Sequence, residues 1–146
     1  MRKILNSWEG TPYRHATILK GRAADCLMFV AEVYREMGVL EKYEHEYYPK
    51  DWYLHQKEEL ALNYFIDNMK FIRPGYRCDI IEPEEPRDGD ILLFAMIDGL
   101  PITHSAIFFE GKLWHVNTLR GVCHTKFGPA WKQKLKKIGR ICRSES

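Results

Sequence analysis

Three features are missing from this chain of 146 residues: a long apolar run, paired cysteines and a strong charge of one sign. No stretch approaches the roughly 20 apolar residues that a membrane-spanning helix needs. The basic pair Arg2-Lys3 is followed only by Ile4-Leu5 before polar residues return, so no secretory h-region is present. We therefore expect a protein with no membrane span that is made without a signal peptide.

The cysteines, at positions 26, 78, 123 and 142, lack the C-x-x-C spacing typical of zinc sites. In a chain without a signal peptide this pattern indicates free thiols, and we expect no metal and no cofactor. The net charge of +2 does not indicate a nucleic-acid partner, although positions 132–143 are locally basic. Such a run is more typical of a solvated face than of a contact with an anionic polymer.

An ordinary composition, 45% apolar and 29% charged, predicts one domain over 1–146. Helical patterns fill the first half and strand patterns the second, which predicts an α+β fold. Arg2–Trp8 is predicted as a short helix, and about 52–72 as a later one. A buried helix is predicted from Cys26 onward, with Asp25 as its N-cap and Gly38 as its stop.

Strand-type runs separated by turn residues follow in the second half. They predict an antiparallel meander over 91–97, 103–109, 113–118 and 122–127. A short basic helix is predicted around 131–136, and 138–142 is predicted as an edge strand. The buried helix is expected to pack on this sheet.

Cys26 opens the buried helix and is the residue with the clearest chemical potential. Unpaired backbone N–H groups at a helix start favour the thiolate, and an adjacent imidazole completes an activated nucleophile. The alternative is a buried cysteine that serves as a small apolar core residue. His104 is the predicted general base and later general acid, provided that the strand face it shares with Ala106 and Phe108 meets the helix.

His115, on the following strand, is predicted to accept the ring N–H of His104 and fix its tautomer, with Asn117 on the same face as the fallback. Tyr13 is either a core aromatic or a donor to an oxyanion at Cys26, beside the backbone N–H of Cys26 itself. The predicted oxyanion and substrate-binding residues are Tyr13, Asp25, His15 and Asn117. The remaining histidines and cysteines are predicted to be surface, packing or structural residues: His45, His55, His124, Cys78, Cys123 and Cys142.

Several motifs, taken in order, resemble the NlpC/p60 family of papain-like cysteine peptidases. They are Gly10-Thr11-Pro12-Tyr13-Arg14, Asp25-Cys26 with Phe29-Val30, Asp88-Gly89-Asp90-Ile91-Leu92-Leu93-Phe94, Thr103-His104-Ser105-Ala106-Ile107, and His115. The resemblance spans nearly the whole chain and implies a papain-like α+β domain with the nucleophile helix packed on an antiparallel sheet. It also implies a triad of Cys26, His104 and His115 that hydrolyses an amide bond next to D-glutamate or diaminopimelate in peptidoglycan stem peptides.

Two further segments, Tyr48-Pro49-Lys50-Asp51-Trp52 and Gly121-Val122, are similar to a subgroup encoded in phage tail gene clusters, prophages and gene-transfer agents. This resemblance implies a cell wall hydrolase that is made in the bacterial cytoplasm, rides on the tail and has tail tip proteins as partners. Family members carry Ser-Gly after the nucleophile, and that serine is associated with the free amine of the stem peptide. Here Leu27-Met28 takes its place, a departure that bears on substrate register.

The expected function is therefore a cysteine endopeptidase that opens peptidoglycan stem peptides through a thioester intermediate. An amidase or a thiol acyltransferase on the same fold is an alternative, because water, an amine or a hydroxyl can each attack the acyl-enzyme. A third alternative is a catalytically inert structural component of a tail or its assembly.

Overall fold

The computed structural model describes residues 1–15, 18–44 and 59–144. The helices are α1 (Arg2–Trp8), α2 (Cys26–Glu36), α3 (Leu60–Asn68) and α4 (Pro129–Lys134), and a 3-10 turn over Met69–Phe71 follows α3. The strands are β1 (Ile18–Leu19), β2 (Ala23–Ala24), β3 (Tyr76–Ile81), β4 (Ile91–Phe94), β5 (His104–Phe109), β6 (Lys112–Asn117), β7 (Gly121–Lys126) and β8 (Leu135–Arg143). Within these residues no helix combines the length and apolar character needed to cross a membrane.

The main sheet of the described residues has the strand order β3-β8-β4-β5-β6-β7, and each neighbouring pair is antiparallel. The predicted meander is present as β4 to β7. The prediction of 138–142 as an edge strand is wrong, because β8 lies between β3 and β4. The edge on this side is formed by β3, a strand that the sequence pattern did not predict, and β7 is the opposite edge. Its Arg77 and Asp79 pair with each other at the exposed edge, and these charges hide the strand pattern in the sequence.

Helix α2 begins and ends where the sequence predicts. The Asp25 side chain accepts hydrogen bonds from the backbone N–H groups of Leu27 and Met28, at 3.0 and 3.2 Å, and so caps the helix. Gly38, at φ +78°, follows the last turn and adopts the left-handed conformation that glycine tolerates. Since α2 is buried on nearly every side, its position on the sheet is fixed by packing.

Of the other helices, α3 and α4 depart from the predicted bounds. Helix α1 spans Arg2–Trp8 as predicted. In the region predicted as 52–72, α3 covers only Leu60–Asn68 before the 3-10 turn, and positions 52–58 lie outside the described residues. Helix α4 starts at Pro129, two residues before the predicted helix, because proline fits the first helical position.

The two faces of the sheet carry different partners because side chains alternate along each strand. Ile91, Leu93 and Ile107 point to the face that packs against α2. The opposite face carries an aromatic and aliphatic cluster that α4 covers: Leu92, Phe94, Ala106, Phe108, Leu113, Phe127, Trp131, Leu135 and Ile138. The sheet is therefore buried on both sides over its central strands.

The segment Asp88–Asp90 holds the start of β4 in place. Asp88 accepts a hydrogen bond from the Glu110 backbone N–H at 2.9 Å. The buried Asp90 carboxylate pairs with both Nε and Nη2 of Arg140, at 3.0 and 2.8 Å, and so joins β4 to β8. This motif is thus structural, since its carboxylates are engaged in turn and strand contacts.

The segment after α1 lies against the start of β7. The Gly10 N–H donates to Val122 O at 2.8 Å, and the Val122 N–H donates to Thr11 O at 2.7 Å. A Cβ atom on Gly121 would fall 2.2 Å from Thr11 O, so only glycine fits at this crossing. The contact places the Gly10–Tyr13 motif beside the strand that follows His115.

Candidate active site

Cys26 is the first residue of α2, and two hydrogen bonds attach it to β5 and to the residue before this strand. Its carbonyl accepts a hydrogen bond from the buried Ser105 hydroxyl at 2.8 Å, and its thiol donates to Thr103 O at 3.7 Å. Thr103 and Ser105 are the immediate neighbours of His104 in the chain. These contacts hold the start of α2 against the chain on both sides of His104. The Cys26 sulfur is bound to the carbonyl of the peptide unit that precedes this histidine.

A hydrogen-bonded chain runs from His104 across the β5–β6–β7 hairpins. His104 Nε2 lies 2.8 Å from His115 Nδ1, and His115 Nε2 lies 2.9 Å from Thr125 Oγ1. The first contact leaves Nδ1 as the remaining ring nitrogen of His104 for proton exchange with a sulfur. Thr125 was not predicted, because only the β6–β7 register, which pairs His115 with Cys123, puts it on the face of His115.

Aromatic rings enclose the two imidazoles. Phe94 and Trp131 lie 6.1 and 5.7 Å from the His104 ring, centroid to centroid. The Trp131 ring also meets His115 edge-on at 5.2 Å. Helix α4 thus closes the back of the histidine pair with an indole, which limits access of water to the hydrogen bond between the rings.

The sequence predicted that the face of β5 that carries His104 meets α2, but α2 packs on the other face. His104 shares its face with Ala106 and Phe108, and this face packs under α4. Helix α2 instead meets the face of Ser105 and Ile107. The predicted condition is therefore wrong. Because His104 is the first residue of β5, the helix start approaches it around the end of the strand and not across the sheet.

The pKa of the Cys26 thiol is shifted upward, which is opposite to the downward shift predicted for a helix start. Burial raises the pKa of Cys26 to about 12, and the negative charge of Asp25 is the second cause. The Asp25 carboxylate occupies the N–H groups of Leu27 and Met28, so it offsets the positive field that was expected to favour the thiolate. Burial and the Asp25 charge both favour the neutral thiol.

The histidines are shifted in the sense that keeps them neutral. Burial lowers the pKa of His104, and the neighbouring His115 lowers it further. Burial also lowers the pKa of His115, with the charge of Arg120 as the second cause. Both rings are therefore unprotonated near neutral pH, the state in which His104 can take a proton.

The predicted oxyanion and substrate-binding residues have separate positions. Tyr13 is half-buried and packs against the same core cluster as Cys26, and its role as an oxyanion donor stays a prediction. His15 is half-buried and lies in the segment between Tyr13 and β1, where its role as a substrate contact also stays a prediction. Asp25 caps α2.

The fallback role of Asn117 is wrong. Its Oδ1 accepts hydrogen bonds from the backbone N–H groups of Leu119 and Arg120, at 2.8 and 3.0 Å. Asn117 therefore closes the turn between β6 and β7, and the partner of the His104 ring is His115, at 2.8 Å, instead.

Among the other described candidates, Cys123 stands opposite His115 in the β6–β7 pair, and the rest lie away from the site. His124 contacts Glu9 at 3.2 Å and the Trp114 ring at 4.8 Å, as expected of a surface or packing residue. His45 and His55 lie outside the described residues. Cys78, Cys123 and Cys142 are free thiols, and Cys78 lines an apolar cavity between α2, α3 and the sheet.

Comparison with known proteins identifies the fold. No family model and no curated protein matches the chain. A solved structure from Staphylococcus aureus subsp. aureus Mu50, described as similar to lipoprotein, NLP/P60 family, matches 98% of this chain with a TM-score of 0.58 at 20% identity. The match spans 40% of that protein's length. The predicted papain-like α+β class, with the Cys26 helix packed on an antiparallel sheet, is confirmed at the level of the fold.

Proposed function

We propose that this protein is an NlpC/p60-type cysteine peptidase that hydrolyses an amide bond in peptidoglycan stem peptides. The observation that supports this most is the contact of Cys26 with both chain neighbours of His104, combined with the hydrogen bond between His104 and His115. The order of the sequence motifs and the NLP/P60-like fold support the same proposal.

In the proposed mechanism, His104 acts as the general base toward the Cys26 thiol. As the Cys26 sulfur attacks the scissile carbonyl carbon, its proton passes to His104, and a C–S bond and an oxyanion form. The His104 imidazolium then gives the proton to the leaving nitrogen as the C–N bond breaks, which leaves a thioester. A water molecule deprotonated by the same ring hydrolyses the thioester, and the proton returns to the sulfur.

The oxyanion needs a hydrogen-bond donor near Cys26. Asp25 binds the N–H groups of Leu27 and Met28, so the donor at the helix start is the backbone N–H of Cys26. The half-buried Tyr13 is the second donor in this proposal. These two groups would stabilise charge that develops only as the carbonyl is attacked.

The test is product analysis on purified sacculi and defined muropeptides by mass spectrometry. The parent protein is expected to release fragments cut within the stem peptide, and Cys26→Ala is expected to abolish cleavage while it keeps the fold. Cys142→Ala, at a half-buried thiol in β8, is the matched control and should retain activity. Undiminished cleavage by Cys26→Ala would remove the basis of the proposal.

The same product analysis separates the alternatives. Release of ammonia from a side-chain amide, or of an intact stem peptide, indicates an amidase. Transfer of the acyl group to an added amine indicates an acyltransferase. A parent protein that remains folded and leaves every muropeptide intact supports an inert tail or assembly component.

We further propose that the enzyme is delivered to the cell wall on a phage-type tail and contacts tail tip proteins. The support is the similarity of Tyr48–Trp52 and Gly121-Val122 to the phage and gene-transfer-agent subgroup. Of these, Gly121 and Val122 form the crossing with Thr11, and 48–52 lie outside the described residues. Mass spectrometry of purified tail particles should find the protein, and its absence from them would contradict this delivery route.

A further inference from the structure

We propose that Thr125 is a positioning residue that accepts the Nε2 proton of His115 and thereby leaves Nδ1 of His104 able to take the thiol proton. The inference rests on the proposed peptidase function. It starts from one contact outside the triad: Thr125 Oγ1 lies 2.9 Å from His115 Nε2. Thr125 is therefore the last member of a chain that runs through His115 to His104.

The strand register explains why this contact is specific. In the β6–β7 pair, Leu113 stands opposite Thr125 and His115 stands opposite Cys123. Thr125 is thus the diagonal neighbour of His115 on the same face, within reach of a ring that extends along the strand. A change of register by one residue would move Thr125 to the other face, so the hairpin fixes the contact.

Each neutral imidazole carries one ring N–H, so the hydrogen bonds of this chain can run in two directions. In one, His104 Nε2–H donates to His115 Nδ1, and His115 Nε2–H donates to the Thr125 hydroxyl oxygen. In the other, the Thr125 hydroxyl donates to His115 Nε2, His115 Nδ1–H donates to His104 Nε2, and His104 carries its proton on Nδ1. Only the first direction leaves a lone pair on His104 Nδ1 for the Cys26 proton.

Proton transfer decides between the two directions. Once His104 is protonated, both of its nitrogens carry hydrogen, so its Nε2–H needs the lone pair of His115 Nδ1. His115 then holds its own proton on Nε2, and Thr125 Oγ1 is the acceptor for it. His115 is only 2% exposed and Trp131 packs against it, so water is a poor replacement for this acceptor. Thr125 therefore stabilises the state of the site that catalysis requires.

Removal of the hydroxyl at constant shape tests the inference. Thr125→Val is expected to lower kcat by about tenfold to hundredfold with little change in KM, the range for one lost hydrogen bond to a charged system. In the folded protein, histidine ring ¹⁵N NMR is expected to show His115 change from the Nε2–H to the Nδ1–H tautomer. Thr125→Ser keeps the hydroxyl and should restore both readouts.

A matched control separates this role from general effects on the hairpin. Thr118→Val makes the same change in the exposed turn between β6 and β7 and should leave kcat and the tautomer as in the parent. If Thr125→Val does not fold, Thr125→Ala replaces it with the same criteria. An unchanged His115 tautomer in the folded variant, or a Thr125→Ser protein that behaves like Thr125→Val, would overturn the inference.

The NMR readout needs no substrate, so failure of the inference and failure of the proposed function are distinguishable. If the parent protein cleaves no muropeptide, the peptidase proposal fails, and the tautomer measurement still decides the role of Thr125. If the parent cleaves muropeptides and the tautomer does not respond to Thr125, the peptidase proposal stands and the positioning role is refuted.

Discussion

At the scale of single residues, Asp25 has two electrostatic effects at the start of α2. Its carboxylate caps α2 through Leu27 and Met28, which stabilises the helix that carries Cys26. The same negative charge raises the pKa of the Cys26 thiol. Asp25 therefore stabilises the helix start and at the same time favours the neutral form of the thiol beside it.

Neutralising this carboxylate should make the thiol more acidic. Asn is also a good N-cap, so Asp25→Asn keeps the helix start and removes the charge. We expect the pH at half-maximal rate of Cys26 alkylation by iodoacetamide to move to lower values than in the parent. The exposed Asp88→Asn is the control and should leave the profile in place. An identical profile for Asp25→Asn would show that charge at this position does not govern the sulfur.

Ser105 ties Cys26 to the sheet, so its removal should lower both stability and activity. Ser105→Ala removes the side-chain donor from the Cys26 carbonyl, which stands at the acceptor position of the first turn of α2. We expect the free energy of unfolding to fall by about 0.5–1.5 kcal/mol and the rate of muropeptide cleavage to decrease. Urea unfolding and initial rates measure the two effects. Ser7→Ala, at an exposed hydroxyl in α1, is the control, and equal losses in both variants would contradict this role.

At the scale of elements, the sequence predicted those parts whose patterns are local. Cap and stop residues predicted α2, and alternation between turns predicted β4 to β7. The pairing of β8 with β3 depends on contacts between distant segments, and Arg77 and Asp79 disguise the edge strand. The same holds for the site. Cys26 and His104 were predicted because each stands in a local sequence motif.

The site residues that the sequence left out are those whose role comes only from assembly. Ser105 matters because β5 presents it to α2, and Thr125 matters because the register of β7 aligns it with His115. Trp131 was predicted only as part of a short basic helix. The pKa direction at Cys26 was missed because the capping carboxylate opposes the helix field that the sequence argument used.

Helix α4 is expected to control the acidity of the histidine pair through Trp131. Trp131→Ala admits water to both rings, and less desolvation raises the pKa of His104 and His115 toward ordinary values. NMR titration of the ring protons should show this increase, and the acid limb of the activity profile should move to higher pH. Phe127→Leu, in the same cluster, is the control. Unchanged titration in Trp131→Ala would assign the desolvation to other groups.

At the scale of the whole molecule, the buried histidines make stability depend on pH. Their folded pKa values lie below the unfolded value of 6.5, so the unfolded chain binds more protons as the pH falls through that value. Their contribution to stability is complete above about pH 6.5 and is lost below it. For each buried ring, the unfolding equilibrium constant should rise by up to about tenfold per pH unit.

Urea unfolding at about pH 7.5 and about pH 5.5 measures this loss, since the two conditions lie on either side of the ordinary histidine value. A His104→Gln and His115→Gln double variant should show a smaller difference between the two conditions. His124→Gln keeps both buried rings and should behave like the parent. An equally steep loss in the double variant would assign the acid sensitivity to other groups.

The interior position of β8 has a consequence for synthesis of the protein. Chains emerge from the ribosome with their N-terminal residues first, so β3 and the β4–β7 meander are made before the strand that joins them. Until Leu135–Arg143 has emerged, the nascent meander has an open edge at β4, and Asp90 lacks Arg140. The strand pairing of the sheet that supports Cys26 and the histidines is therefore expected to be complete only after Leu135–Arg143 has left the ribosome.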